Sequence, residues 1–187
     1  MKPKQSPKSD PHLGGHSFKT HIDSGILNFF RDTLDCKTML DVGCGPGGMV
    51  YEANKRGYNA IGIDGDYRLE RDNPEYFVLH DFTKGPCNLT DTYDLGYSCE
   101  FVEHVEEDYV PNFMESFAKC KYVTITYAPP GTKGWHHVNC NTKEYWIDVF
   151  KKYNLIFDQE LTNEMQKVSS MKRDFFRKHG LCFKNEN

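Results

Sequence analysis

The chain has 187 residues, with 27 acidic against 23 basic side chains and a net charge of −4. That balance excludes a broadly basic nucleic-acid surface, and the length allows one domain with a substantial core. Seven cysteines without a C-x-x-C pair read as free cytosolic thiols, and no apolar run is long enough for a signal or a membrane span, so a cytoplasmic protein is expected.

Residues 1–11 set Lys2, Lys4 and Lys8 among prolines and serines, the composition of a disordered tail, and residues 12–187 read as a single domain. His12-Leu-Gly-Gly-His16, followed by Thr20-His-Ile-Asp23, is not linker composition. Asp23 or Ser24 caps an apolar helix pattern through Ile26, Leu27, Phe29 and Phe30. Thr38 to Val42 is a short apolar run with Asp41 set into it, which predicts a buried parallel strand. Gly43, Gly45, Gly47 and Gly48 follow within six residues, interrupted by Cys44 and Pro46. Met49, Val50 and Ala53 then fall at helical spacing before a stop at Gly57. Strand, glycine turn and helix together bring backbone close to a bulky ligand at a helix N-terminus. Packing alone does not call for four glycines and an acid together.

Gly43-x-Gly45-x-x-Gly48 formally fits the dinucleotide fingerprint of an NAD-dependent oxidoreductase. An acid on the strand would repel a pyrophosphate, whereas it suits a cationic sulfonium that carries an ammonium group. Read with Asp41, the run Asp-Val-Gly-Cys-Gly-Pro-Gly-Gly resembles the first motif of the class I S-adenosylmethionine-dependent methyltransferases. The resemblance implies cofactor contacts at Asp41, Gly43, Cys44, Gly45 and Gly47. It also implies that the segment before the first strand folds over the cofactor or substrate.

Asn59 to Asp64 reads as a second strand ending in an acid, with Gly65 and Asp66 turning the chain. Asp64 suits the two hydroxyls of an adenosine ribose. Tyr76 to Leu79 is a third strand, and the resemblance implies that Asp81 meets the adenine amino group with Phe82 against the ring. Tyr93 to Glu100 is a fourth strand. The resemblance places the following acid-x-x-x-His pair, Glu100 and His104, at the border of the cofactor. Glu103, Glu106, Glu107 and Asp108 read as the acidic first turn of a helix whose core face is Val110, Phe113, Met114, Phe117 and Ala118.

Tyr122 to Ala128 is the fifth strand, and the loop from Pro129 to Asn139 leaves it at the sheet edge where open α/β folds bind ligands. Trp135, His136 and His137 stand there with no periodicity to explain them. His136, His137 and Cys140 offer no fourth zinc ligand at a recognisable spacing, so no metal is expected. Asn141-x-x-Glu144 is read as a helix cap, ahead of an aromatic face at Tyr145, Trp146, Val149, Phe150 and Tyr153. Leu155 to Leu161 is read as a sixth strand, Thr162 to His179 as a basic helix and Leu181 to Lys184 as a last strand.

The alternation predicts an α/β fold: a doubly wound, mostly parallel seven-stranded sheet with helices on both faces and the last strand antiparallel. The expected activity is methyl transfer from S-adenosylmethionine to a hydroxyl or other heteroatom of a small molecule or saccharide-like acceptor. An RNA ribose 2′-O acceptor is the alternative. It is disfavoured because Glu100 stands where its tetrad needs Asp and no lysine ends the fifth strand. A binding module that keeps the cofactor site without catalysis is a third reading. His137 is the first choice for the base, held to that role by a helix N-terminus just beyond; His136, His104 and Glu100 are the other catalytic candidates.

Overall fold

The computed structural model describes residues 10–13 and 15–187. Residues 1–9 of the expected tail, and Gly14 of the paired glycine, lie outside the described residues. The tail's last two positions are in contact with the rest of the chain: Asp10 accepts from the Leu13 N–H, and Pro11 accepts from the Trp135 indole N–H.

Seven strands form one sheet in the order β3-β2-β1-β4-β5-β7-β6. They are β1 (Thr38–Val42), β2 (Asn59–Asp64), β3 (Phe77–Leu79), β4 (Tyr93–Ser98), β5 (Cys120–Thr126), β6 (Leu155–Phe157) and β7 (Gly180–Asn185). The ladders from β3 to β5 are parallel, and β7 runs antiparallel to both β5 and β6. The chain turns from one half of the sheet to the other between β1 and β4. This is the switch point outside whose carboxyl edge open sheets bind ligands.

Helices cover both faces. Alternate residues of each strand point to opposite sides, so Met39 joins one core and Leu40 the other. One core packs α1 (Ser24–Leu34), α2 (Gly48–Lys55), α5 (Gln159–Val168) and α6 (Phe175–His179) through Ile26, Phe30, Val50, Met165 and Phe176. The other packs α3 (Val110–Phe117) and α4 (Lys143–Lys151) through Phe113, Phe117, Trp146 and Phe150, with Phe150 stacked on Phe183 at 4.2 Å.

Three local expectations change. The sixth strand ends at Phe157, because Asp158 caps α5 by accepting from the Leu161 N–H. The basic helix is two helices, since the chain leaves α5 at Ser169 and Ser170 to bond Asp23. The cap of α4 is Thr142, one residue beyond Asn141, and accepts from the Tyr145 N–H.

Candidate active site

A cavity of about 430 Å³ opens at the carboxyl edge of β1, β2, β3 and β4. That volume lies within the range of small-molecule and cofactor sites. Its lining includes Asp41, Gly43, Cys44, Gly45, Asp64, Gly65, Asp81, Phe82, Glu100, His104 and His137. Gly47 and His136 are the sequence-predicted residues that do not reach it.

The glycine turn has two functions. Gly43, Gly45 and Gly47 all have positive φ, a backbone region that disfavours side chains. A Cβ on Gly43 would collide with the Phe101 ring, and one on Gly47 with the Phe77 ring. Gly48 donates its N–H to Thr20 Oγ1, which occupies a donor of α2. Packing therefore explains part of the glycine run, contrary to the sequence expectation. Gly45 lines the cavity, and the nearest atoms to a Cβ there belong to His16, at 3.1 Å and beyond.

Asp41 is 3% exposed at the end of β1 and makes no side-chain hydrogen bond among the described residues. Burial, and secondarily Asp64, push its carboxyl well above the usual carboxylate range. A cation in the cavity would supply the missing partner. Asp64 accepts from the Gly45 N–H at 2.8 Å and from the Asp66 N–H at 2.8 Å. Each of its oxygens retains a lone pair for a ribose hydroxyl. Asp81 accepts from the Thr83 N–H and hydroxyl, and its second oxygen meets His12 Nε2 at 3.2 Å. Phe82 is buried against Phe101 and Phe113. These residues fit the sulfonium, the amino-acid portion and the adenosine of S-adenosylmethionine.

Residues 11–13, 15–17 and 19–21 form one wall. His16 Nε2 lies 3.1 Å from Asp66 Oδ2, and Arg68 holds the same carboxylate. Burial pushes the Asp66 carboxyl up, but the bonds from Arg68 and His16 overcome that and hold it below the usual range. Sequence reasoning treated Asp66 only as a turn residue; its neighbour two positions on, Arg68, was the available signal.

Glu100, His104 and His137 also line the cavity, with His104 close to Gly15 of that wall. Glu100 has a positive φ of 54°, unusual for its type, while its N–H donates to Thr126 Oγ1 at 2.7 Å. Burial raises its carboxyl. His104 ends a single 3-10 turn at Val102–His104, so the helix has not begun there. Burial, then neighbouring His137, lower its imidazole to about 4. His137 Nδ1 lies 3.1 Å from the Thr132 carbonyl, and the two imidazole rings meet edge-on at 4.9 Å. His136 turns away, its Nε2 3.5 Å from Glu106. The expected helix dipole behind His137 is too distant: α4 begins at Lys143, and such effects fade within one turn.

Glu103 is the residue sequence reasoning misassigned. It is not in a solvated helical turn but fully buried, with both carboxylate oxygens unpartnered among the described residues. Burial, then Glu100, raise its carboxyl well above the usual range.

A family model described as "Methyltransferase domain" matches residues 16–168. Among solved structures, the chain is similar to a TehB-like S-adenosylmethionine-dependent methyltransferase from Corynebacterium glutamicum, at 16% identity and a TM-score of 0.63, covering 87% of this chain and 88% of that one. It is also similar to the sugar N-methyltransferase KedS8 from Streptoalloteichus, at 9% identity and a TM-score of 0.61, covering 87% and 85%. The magnesium protoporphyrin IX methyltransferase of Synechocystis with bound S-adenosylmethionine matches at 12% identity and a TM-score of 0.52, covering 78% and 67%. No curated protein sequence matches the chain. No helix among the described residues is long and apolar enough to cross a membrane. The motif, the fold, the acid-lined cavity and the family match agree: the chain belongs to the methyltransferase domain family and is a class I S-adenosylmethionine-dependent methyltransferase.

Proposed function

We propose that the enzyme transfers the methyl group to a hydroxyl of a small-molecule or saccharide-like acceptor. One observation carries the reading. The cofactor wall of Asp41, Gly45, Asp64 and Asp81 shares a cavity with the polar group Glu100, His104 and His137. A hydroxyl must lose its proton as its oxygen lone pair forms the bond to the methyl carbon, while the carbon–sulfur pair stays on sulfur. A polar group beside the methyl serves that loss, and alignment in the cavity supplies the rest.

The test uses S-adenosylmethionine with an isotopically labelled methyl, supplied together with pooled hydroxyl-bearing and amine-bearing compounds. Label should appear as a methyl ether. Label found only on nitrogen or carbon overturns the hydroxyl reading. With an acceptor in hand, His137→Asn should cut turnover by about 10²–10⁴-fold and leave binding of S-adenosylhomocysteine unchanged. His136→Asn should stay within a few-fold of the wild type, because that ring faces Glu106.

A further inference from the structure

Glu103 poses a problem that methyl transfer does not solve. Its side chain is fully buried, and among the described residues neither carboxylate oxygen has a partner; Nδ1 of adjacent His104 is likewise buried and unpartnered among them. Buried polar groups in folded proteins are nearly always satisfied, and an orphaned carboxylate is among the most costly exceptions. One donor atom each from Glu103, His104 and His137 lies within 4.8 Å of the other two.

The surroundings of His137 are those of a ligand. Its Nδ1 sits 3.1 Å from the Thr132 carbonyl, which can only accept, so Nδ1 carries the proton and Nε2 keeps a lone pair. A carbonyl on the far nitrogen is the usual means of orienting a metal-bound imidazole. The ring packs against Gly134, where a Cβ would come within 2.1 Å of Nε2, so only glycine leaves it room. The Val138 and Asn139 N–H groups both bond the Glu103 backbone carbonyl at 3.0 Å, which ties this loop to the turn bearing Glu103 and His104.

We infer that Glu103, His104 and His137 bind a divalent transition-metal ion at the edge of the methyl-transfer cavity. One carboxylate and two imidazoles suit Mn²⁺, Fe²⁺, Co²⁺ or Zn²⁺, while Ca²⁺ and Mg²⁺ take oxygen sets. Three protein ligands leave positions for water or an acceptor oxygen. His104 and His137 line the cavity, so those positions open toward it. The ion's role rests on the hydroxyl-acceptor reading: it would hold the acceptor oxygen and favour loss of its proton to solvent. Its binding does not depend on that reading.

The experiment uses the full chain, dialysed against a chelator and then titrated with Co²⁺ alone while visible absorption is followed. The expected result is a band saturating at one ion per chain. Glu103→Gln and His137→Asn should each weaken binding at least about tenfold, with His137→Asn placed on a loop where folding is least at risk. Mn²⁺ in the site should enhance water-proton relaxation, showing coordinated water. Absence of saturable binding, or unchanged binding in both variants, overturns the site and leaves Glu103 a neutral buried acid. A bound Mn²⁺ without relaxation enhancement overturns the open positions. Thermal stabilisation by S-adenosylhomocysteine, read on the same samples, keeps the two readings apart. If that stabilisation is lost while Co²⁺ binds, the methyl-transfer role of the cavity fails and the ion site stands.

Discussion

Asp41 shows how one residue couples folding to cofactor binding. Burial, then Asp64, raise its carboxyl, so the ligand-free fold favours the neutral form over a pH range where the unfolded chain, with a carboxyl of about 3.9, has ionised it. Unfolding then releases a proton, so this contribution to stability is fully present below about pH 4 and is lost as pH rises toward the raised folded value. Asp41→Asn removes the linkage. The melting temperature of the variant should therefore gain on that of the wild type as pH rises above about 4, and a gap independent of pH would refute the neutral form. The same variant should bind S-adenosylhomocysteine about 10–100-fold more weakly, as expected for losing a charged partner of the ammonium. The sequence exposed Asp41, because an acid inside an apolar strand run is out of place. It concealed Glu103, because Glu103 through Asp108 holds four acids and reads as solvated. The first of them is buried, and its backbone carbonyl is tied to Val138 and Asn139, a return from more than thirty residues away that local sequence does not display.

At the scale of elements, Asp23 joins the start of the chain to its end. It caps α1 through the Ile26 N–H and also accepts from the Ser169 hydroxyl at 2.5 Å and the Ser170 N–H at 2.9 Å, 146 and 147 residues away. The side chain is fully buried. Asp23→Ala removes a cap and strands buried donors, so a loss of about 2–4 kcal/mol in a denaturant titration is expected. A loss below about 1 kcal/mol would reduce the residue to an ordinary cap. This junction also accounts for the misread C-terminal region. Propensity ran one helix through Thr162 to His179, while the chain breaks at Ser169 to reach a partner that local sequence cannot display. Helix α3 was legible because Val110, Phe113, Met114 and Phe117 mark one buried face without outside help.

For the whole molecule, the order of strands matters more than any single contact. Strands β1, β2 and β4 were readable as apolar runs ended by Gly43, Asp64 and Glu100, and their parallel pairing brings those ends to one edge. The wall formed by residues 11–13, 15–17 and 19–21 was legible only as odd composition, since its partners Asp66, Asp81 and Trp135 come from three separate stretches. That wall bears on the clock of the reaction. The demethylated product loses one methyl and the sulfonium charge but keeps the ammonium, the ribose and the adenine, so most of the groups that hold the cofactor would still hold the spent molecule. We predict that departure waits on the parting of the His12–Asp81, His16–Asp66 and Trp135–Pro11 contacts, after chemistry is finished. Enzyme mixed rapidly with cofactor and acceptor should give a burst of methylated product near one per chain, followed by a slower steady rate. His16→Ala should quicken the steady phase and leave the burst unchanged; a trace without a burst would make bond formation, not unclasping, the slow event.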